Sequence, residues 1–384
     1  MLNSPLIKTK LPLVGTTIFT VMSKLAADYN AINLSQGFPN FKVSDELIEL
    51  VNRFMKAGYN QYAPMIGVQE LREAIVKKIY SLYGVSYDSE NEITVTSGAT
   101  EALFASISAV VQQGDEVIVF EPAYDSYVPA ILLNGGVPVY ISLRPPYFNI
   151  DWQEVKSRIN SRTRLIIINT PQNPAGAILM PHDIAELASI VNKTKILLVG
   201  DEVYEHIIFD NEQHQSLMTH QVLRERSYIC GSFGKTFHVT GWKVGYVLAP
   251  SEMTTEFRKI HQYLTFSTIT PVQMALACYL GKAENYLTIP EFYQRKRDLF
   301  LEALKPSKFK YIPARGSYFQ NLDYSAITLE NDYDFAIRLT KEKGVASIPV
   351  SMFYHRRNDY KILRFCFAKD DATLLAAAEK LSGL

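Results

Sequence analysis

The feature that most constrains this chain is a regular alternation of short apolar runs with amphipathic segments through its central part. The runs 117–120, 165–169 and 196–200 are almost continuously apolar, which is typical of strands that are covered on both faces. Helical segments such as 181–191 separate these runs. The alternation predicts an open, largely parallel sheet with helices on both sides, and ligands of such sheets bind beyond the carboxyl ends of the strands.

The C-terminal part of the chain has a different, α+β pattern, in which short strands are predicted over 311–313 and 317–320. A chain of 384 residues is longer than one typical domain. We therefore expect a large domain over residues 45–285. A smaller domain is predicted from the N-terminal segment 1–44 together with residues 286–384.

Composition excludes several classes of function. The 39 basic side chains balance the 39 acidic ones, so charge gives no reason to expect nucleic acid or a membrane as a partner. The three cysteines, Cys230, Cys278 and Cys366, have no paired spacing, so neither a disulfide framework nor a metal site is predicted. Residues 1–10 lack the apolar core of a signal peptide. We therefore expect a cytoplasmic protein.

One lysine lies in an unusual setting. Lys235 comes shortly after the apolar run 228–230, and Ser232 and Gly234 lie close to it. Small neighbours allow a ligand to approach closely, and a hydroxyl together with the second cation of Lys243 suits a bound phosphate. One interpretation is an amine that forms a Schiff base with pyridoxal phosphate. The alternative is an ordinary solvated lysine in a loop.

Polar residues at the ends of the predicted strands support the first interpretation. Asp201 follows the apolar run 196–200, and a buried carboxylate there needs a cationic or hydrogen-donating partner. The protonated nitrogen of a pyridine ring is such a partner, whereas capping of the next helix is the alternative. Asn173 and Tyr204 are candidates to bond the phenolic oxygen of the same cofactor.

Three further positions have both a functional and a structural interpretation. The segment 97–100 joins a strand to a helix N-terminus, which attracts an anion, but it is equally an ordinary tight turn. Tyr124 is either a ring stacked on the pyridine or a simple packing residue. Arg364 lies within an apolar strand, where it binds either a substrate carboxylate or a structural salt-bridge partner.

Taken together and in this order, the motifs resemble those of the class I and II aminotransferases of pyridoxal-phosphate fold type I. They are most similar to the branch of bacterial methionine aminotransferases and kynurenine–glutamine transaminases. The resemblance runs from about residue 11 to the C-terminus. It is carried by the segments 33–39, 60–64, 96–102, 169–174, 201–204, 232–236 and 241–245.

The resemblance implies a fold and a set of cofactor-binding residues. The implied fold is a mostly parallel seven-stranded sheet in a three-layer α/β/α large domain, with a smaller α+β domain. Lys235 would bind the cofactor covalently, Asp201 would pair with its ring nitrogen, and Asn173 and Tyr204 would bond its phenolic oxygen. The residues implied to hold the phosphate are Gly98, Ala99, Thr100, Ser232 and Lys243. Tyr62 would reach the phosphate of the neighbouring subunit, which implies a homodimer with shared active sites.

The resemblance also implies how substrate binds. Arg364 and Asn173, with the backbone of Gly37, would bind the α-carboxylate. Phe19 and Ile269 correspond by position to the substrate side-chain pocket, and Phe38 and Tyr124 are further candidates.

The expected reaction is amino transfer by a ping-pong mechanism, from an L-amino acid to a 2-oxo acid. The sequence marks no second arginine for a distal carboxylate, which favours methionine, aromatic amino acids, kynurenine or glutamine over aspartate. A lyase of the same fold that cleaves cystathionine or cysteine S-conjugates at Cβ is the main alternative. A regulatory protein that senses the cofactor is less favoured, because the chain has no appended helix-turn-helix or basic segment.

Overall fold

The computed structural model describes residues 7–12 and 14–384. Its strands are β1 Ile32–Asn33, β2 Ile93–Thr96, β3 Glu116–Glu121, β4 Val137–Ser142, β5 Thr163–Asn169, β6 Leu197–Asp201, β7 Ser227–Ser232, β8 Gly245–Leu248, β9 Phe319–Asp323, β10 Val345–Ala346, β11 Ile348–Pro349 and β12 Ile362–Cys366. Its α-helices are α1 Ile18–Asp28, α2 Asp45–Lys56, α3 Gln69–Tyr83, α4 Gly98–Val110, α5 Tyr127–Leu133, α6 Trp152–Arg158, α7 Pro181–Asn192, α8 Gln221–Arg224, α9 Phe233–Thr236, α10 Ser251–Leu264, α11 Thr270–Leu280, α12 Glu284–Leu287, α13 Ile289–Leu304, α14 Asp332–Arg338 and α15 Asp371–Ser382.

A seven-stranded sheet forms the centre of the molecule, with the strand order β2-β8-β7-β6-β5-β3-β4. Its strands are parallel except for β8, which is antiparallel to both β2 and β7. The predicted largely parallel sheet with helices on both sides is therefore confirmed.

Both faces of the sheet are buried, which explains the continuous apolar runs. Along β3, Ile118 packs into the core on one side of the sheet and Val117 into the core on the other. In β5, Ile166 packs into the same core as Ile118, and Leu165 packs into the same core as Val117. Each residue of such a strand is covered, so alternation with polar residues is lost.

A second core contains residues from both ends of the chain. Strands β11, β12 and β9 form an antiparallel sheet. The N-terminal β1 pairs in parallel with β10, so that Ile32 lies opposite Val345. Apolar residues of α1, α13 and α15 belong to the same core. This packing supports a smaller domain built from 1–44 and 286–384, but the boundaries at residues 44–45 and 285–286 stay a prediction.

The predicted strand over 311–313 is wrong, and the next strand begins two residues later than expected, at Phe319. Pro313 has no N–H to donate to a ladder. Ser317 has a left-handed backbone, with φ of 61°, which interrupts an extended run. Within the described residues, no helix is both long enough and apolar enough to cross a membrane.

Candidate active site

The predicted site residues meet at one edge of the central sheet. The carboxyl ends of β2, β5, β6 and β7 lie at this edge, together with the beginning of the antiparallel strand β8. A cavity of about 220 Å³ opens there. Sequence-predicted residues that line it are Phe19, Gly37, Gly98, Ala99, Thr100, Tyr124, Asn173, Asp201, Tyr204, Ser232, Lys235, Lys243 and Arg364.

Lys235 lies in the short helix α9, which follows β7 directly and turns the lysine into the cavity. Its Nζ lies 5.8 Å from the ring centroid of Tyr204 and 5.7 Å from that of Tyr318. Burial lowers the pKa of the Lys235 amine to about 8, since the cation loses hydration. An amine with this pKa is partly unprotonated near neutral pH, as a nucleophile and proton acceptor must be.

Asp201 ends β6 and is 3% exposed. Its Oδ2 accepts a hydrogen bond of 2.5 Å from the hydroxyl of Tyr127. Its Oδ1 is buried and has no hydrogen-bond partner in the described part of the chain. Burial raises the pKa of the Asp201 carboxyl to about 6, although the Tyr127 hydrogen bond opposes this shift. The carboxylate therefore remains largely ionised at neutral pH and has one oxygen left for a donor.

Another part of the cavity lining is suited to an anion. Gly98 opens α4 with φ of 75°, and a Cβ built on it would lie 3.4 Å from Cε of Lys243. Lys243 itself has a left-handed backbone, with φ of 55°. The N-terminus of α4 offers backbone N–H groups with a favourable dipole, and Lys243 adds a cation.

Arg364 is the central residue of β12 and is fully buried. Its Nη1 donates to Oδ1 of Asn173 at 2.8 Å, and its Nη2 donates to the backbone carbonyl of Ser35 at 2.7 Å. The guanidinium carbon lies 3.9 Å from the ring centroid of Phe319. Burial lowers the pKa of Arg364 to about 10, which leaves it charged. Nε has no partner in the described structure, so this cation has donors available for an anion.

The two glutamates within 201–205, Glu202 and Glu205, do not line the cavity. Glu205 pairs with the buried Lys78 and accepts a hydrogen bond of 2.9 Å from the Tyr246 hydroxyl. Glu202 accepts from the backbone N–H of Leu217 at 3.0 Å. These contacts fix the segment from behind, which leaves Asp201 and Tyr204 on the cavity side.

The residues present fit pyridoxal phosphate. The unpartnered Oδ1 of Asp201 needs a hydrogen-bond donor, and a protonated pyridine nitrogen is one. Gly98 and Lys243 are neighbours in the lining and suit a phosphate, and Lys235 lines the same cavity. Asp201 thus suits the ring nitrogen of that cofactor, Gly98 and Lys243 suit its phosphate, and the Lys235 amine suits its carbonyl.

The structure also shows contributors that sequence reasoning missed. Tyr127 contacts Asp201, Tyr318 packs edge-on against Tyr204 with ring centroids 5.1 Å apart, and Phe319 lies beneath Arg364. Each belongs to an apolar or aromatic stretch in which no sequence signal separates it from ordinary core residues. Only the fold brings them beside the cavity.

Three predicted residues do not line the cavity of the single chain. Tyr62 is 84% exposed, Ile269 is 49% exposed and Phe38 is 46% exposed. Tyr62 packs against Phe266, with ring centroids 5.5 Å apart, on the outer surface. Their assigned roles stay predictions, and the role predicted for Tyr62 is at the site of a neighbouring subunit.

Comparisons with known proteins agree with this geometry. The sequence model described as aminotransferase class I and II matches residues 29–381. The chain is 51% identical to methionine aminotransferase of Escherichia coli, with 100% of each chain covered. It is 34% identical to human kynurenine–oxoglutarate transaminase 1, with 93% of each covered.

Solved structures give the same result for the fold. A crystal structure of the Escherichia coli protein with methionine aminotransferase function superimposes with a TM-score of 0.97 at 51% identity, covering 99% of this chain and 100% of the other. Aspartate aminotransferase of Thermus thermophilus with maleate gives a TM-score of 0.90 at 29% identity, covering 98% and 99%.

Proposed function

Because the chain belongs to the class I and II aminotransferases, we propose that it moves the amino group of a hydrophobic or sulfur-containing L-amino acid to a 2-oxo acid. Family membership makes the chain an aminotransferase that depends on pyridoxal phosphate. L-Methionine is the favoured donor, and aromatic amino acids, kynurenine and glutamine are further donors. The observation that carries the proposal is the convergence of Lys235, Asp201 and Arg364 on one cavity.

The chemistry at Cα is assigned to Lys235. When bound, pyridoxal phosphate supplies an electron sink that makes the Cα–H bond of the substrate acidic. The Lys235 amine, with its pKa lowered to about 8 by burial, takes the proton from Cα and later returns a proton. With the cofactor bound, the ionised Oδ1 of Asp201 would accept a hydrogen bond from its ring nitrogen, and Tyr204 and Asn173 would bond its phenolic oxygen.

The α-carboxylate is assigned to Arg364, with Asn173 and the backbone of Gly37. The guanidinium is already oriented by Asn173 and by the carbonyl of Ser35, so little freedom is lost when substrate binds. A bidentate pair between arginine and a carboxylate fixes the substrate in one orientation. Lys235 lines the same cavity as Arg364.

The cavity favours an uncharged side chain. Phe19 and Tyr124 are its aromatic candidates for contact with the substrate side chain. Among the described residues that line the cavity, Arg364 is the only arginine, and it is assigned to the α-carboxylate. A second carboxylate on the substrate would therefore have no arginine to bind it.

The active unit is proposed to be a homodimer, because Tyr62 and Ile269 are exposed yet correspond to site positions in the family. Two inactive variants test this: Lys235→Ala and Tyr62→Ala, mixed after partial unfolding. A mixed dimer holds one site with both native residues, so about a quarter of native activity returns if sites are shared. No recovery in mixed dimers would contradict the shared site.

The substrate proposal is tested by kcat/KM for a panel of donors with one 2-oxo acid. L-Methionine should exceed L-aspartate by at least about a hundredfold, since an unpaired buried carboxylate costs several kcal/mol. Efficient turnover of aspartate with weak turnover of methionine would overturn it. Pyruvate and ammonia released from cystathionine without an acceptor would support the lyase alternative, which the aminotransferase relatives do not favour. The cytoplasmic location stays a prediction from the sequence.

A further inference from the structure

Behind the cavity, one buried tyrosine is bonded to the carboxylate that faces the cofactor. Tyr127 is the first residue of α5 and is 2% exposed. Its hydroxyl donates to Oδ2 of Asp201 at 2.5 Å, whereas Oδ1 of the same carboxylate has no partner in the described part of the chain. Tyr127 is absent from the lining of the main cavity. Its hydroxyl therefore reaches the site through Asp201.

We propose that Tyr127 is a positioning residue that keeps Asp201 ionised and turned, so that a single free oxygen, Oδ1, accepts the N–H of the cofactor ring. This inference rests on the proposed function. A carboxylate with both oxygens free would rotate and would be protonated more easily in a buried site. One strong hydrogen bond from a neutral hydroxyl prevents both changes without adding a positive charge that would compete with the ring nitrogen.

Packing fixes the tyrosine in this position. Its ring belongs to the core between the sheet and the helices on one face. It also meets the ring of Tyr124 edge-on, with centroids 5.7 Å apart. Tyr124 itself lines the cavity. Tyr127 thus contacts both Tyr124 in the cavity wall and the carboxylate of Asp201.

The protonation states support the arrangement. Burial, followed by the charge of Asp201, raises the pKa of the Tyr127 hydroxyl well above its ordinary value, so it remains a donor. The hydrogen bond from Tyr127 is the largest influence that opposes the upward shift of the Asp201 pKa. The titratable groups that face Asp201 are Lys235, Glu202, Cys230, Tyr124, Tyr127 and Tyr204.

The test uses Tyr127→Phe, which keeps the packed ring and removes only the hydroxyl. The dissociation constant of pyridoxal phosphate is measured on the cofactor-free protein between pH 6 and pH 8.5. We expect this dissociation constant to be about tenfold higher in the variant than in the native protein near pH 6.5, with a smaller difference at pH 8.5. The reason is that Asp201 of the variant takes up a proton at higher pH, so that less of it is ionised near pH 6.5. The ¹⁵N shift of ring-labelled cofactor should show a less fully protonated nitrogen in the variant than in the native protein.

Two further variants separate positioning from a general structural effect. Tyr228→Phe removes another buried hydroxyl from the same core, one that donates to the carbonyl of Met253 at 2.8 Å, and should leave the dissociation constant unchanged. In an Asp201→Asn background, Tyr127→Phe should have almost no additional effect. Equal effects of Tyr127→Phe in both backgrounds, or a change that does not depend on pH, would overturn the inference.

Turnover of L-methionine by the native protein is measured separately. If turnover is absent while the pH-dependent loss of cofactor affinity is observed, the proposed substrate fails and the role of Tyr127 is supported. If turnover is present and the affinity of Tyr127→Phe is native at every pH, the role of Tyr127 alone is refuted.

Discussion

Replacement of Arg364 by lysine is the sharpest test of how the site binds substrate. The arginine carries five N–H groups, of which one from Nη1 is bonded to Asn173 and one from Nη2 to the carbonyl of Ser35. The unpartnered Nε and the remaining η hydrogens are left for a carboxylate. Lysine retains the charge but loses the planar fork that binds both carboxylate oxygens.

The magnitude follows from the number of hydrogen bonds lost. A hydrogen bond that involves a charged group contributes about 1.5–3 kcal/mol, and lysine can make about one of the two bonds. The variant also leaves Oδ1 of Asn173 and the carbonyl of Ser35 without their donor in a buried site. We therefore expect kcat/KM for L-methionine to fall by about a hundredfold to a thousandfold in Arg364→Lys. Arg364→Met, which removes both bonds and the charge, should fall further.

The assay is steady-state kinetics with L-methionine at a saturating concentration of one 2-oxo acid. The primary amine that corresponds to methionine without its carboxylate serves as a second substrate, and its slow turnover should be nearly unaffected. Arg338→Lys is the matched control, because Arg338, the last residue of α14, forms a partly exposed ion pair with Glu330. A kcat/KM within about threefold of native for Arg364→Lys would refute the reasoning, since one charged hydrogen bond is already worth tenfold.

Three further predictions concern stability and cofactor binding. Lys78→Met should lower the unfolding free energy by about 3–5 kcal/mol, because it leaves the buried carboxylate of Glu205 without its cation. Lys156→Met, at the exposed pair with Glu186, should lower it by less than about 1 kcal/mol. Equal losses of unfolding free energy in calorimetry would contradict this. Gly98→Ala should weaken cofactor binding about tenfold, since alanine is strained at φ of 75° and its methyl group would lie 3.4 Å from Cε of Lys243 in the cavity lining. Gly58→Ala, at φ of 92° in open space, should lose stability but keep cofactor affinity. The rate at which cofactor-free protein binds pyridoxal phosphate should rise with pH, with a midpoint near the Lys235 pKa of about 8, because the amine loses its proton over this range. A pH-independent rate between about pH 6 and pH 9 would contradict it.

The sequence predicts the central sheet and most of the site for one physical reason. Continuous apolar runs identify strands covered on both faces, and the polar residues that follow such strands meet at one edge of a parallel sheet. This rule predicts Asp201 and Asn173, whereas Lys235 is predicted from its small neighbours after an apolar run, and the cavity contains all three. Gly98 was found because a strand followed directly by a helix suits an anion.

Other features depend on tertiary contacts that a local pattern does not carry. The tyrosine at 127 is one apolar-looking residue in a short helix, and only its hydrogen bond to Asp201 gives it a role. The absence of a strand over 311–313 reflects Pro313, and the late start of β9 reflects the left-handed Ser317. Tyr62 and Ile269 are exposed in the single chain, so their predicted roles are not tested by its contacts.

The most direct measurement of the central claim is the absorbance of the purified, cofactor-loaded protein before and after L-methionine is added without any oxo acid. The account predicts that the visible band of the lysine-bound cofactor disappears, that a band of the aminated cofactor replaces it, and that a 2-oxo acid restores the first band. Lys235→Ala should lack the initial lysine-bound band. Continuous release of ammonia and oxo acid with the initial band retained, or no band in protein supplied with pyridoxal phosphate, would contradict the account.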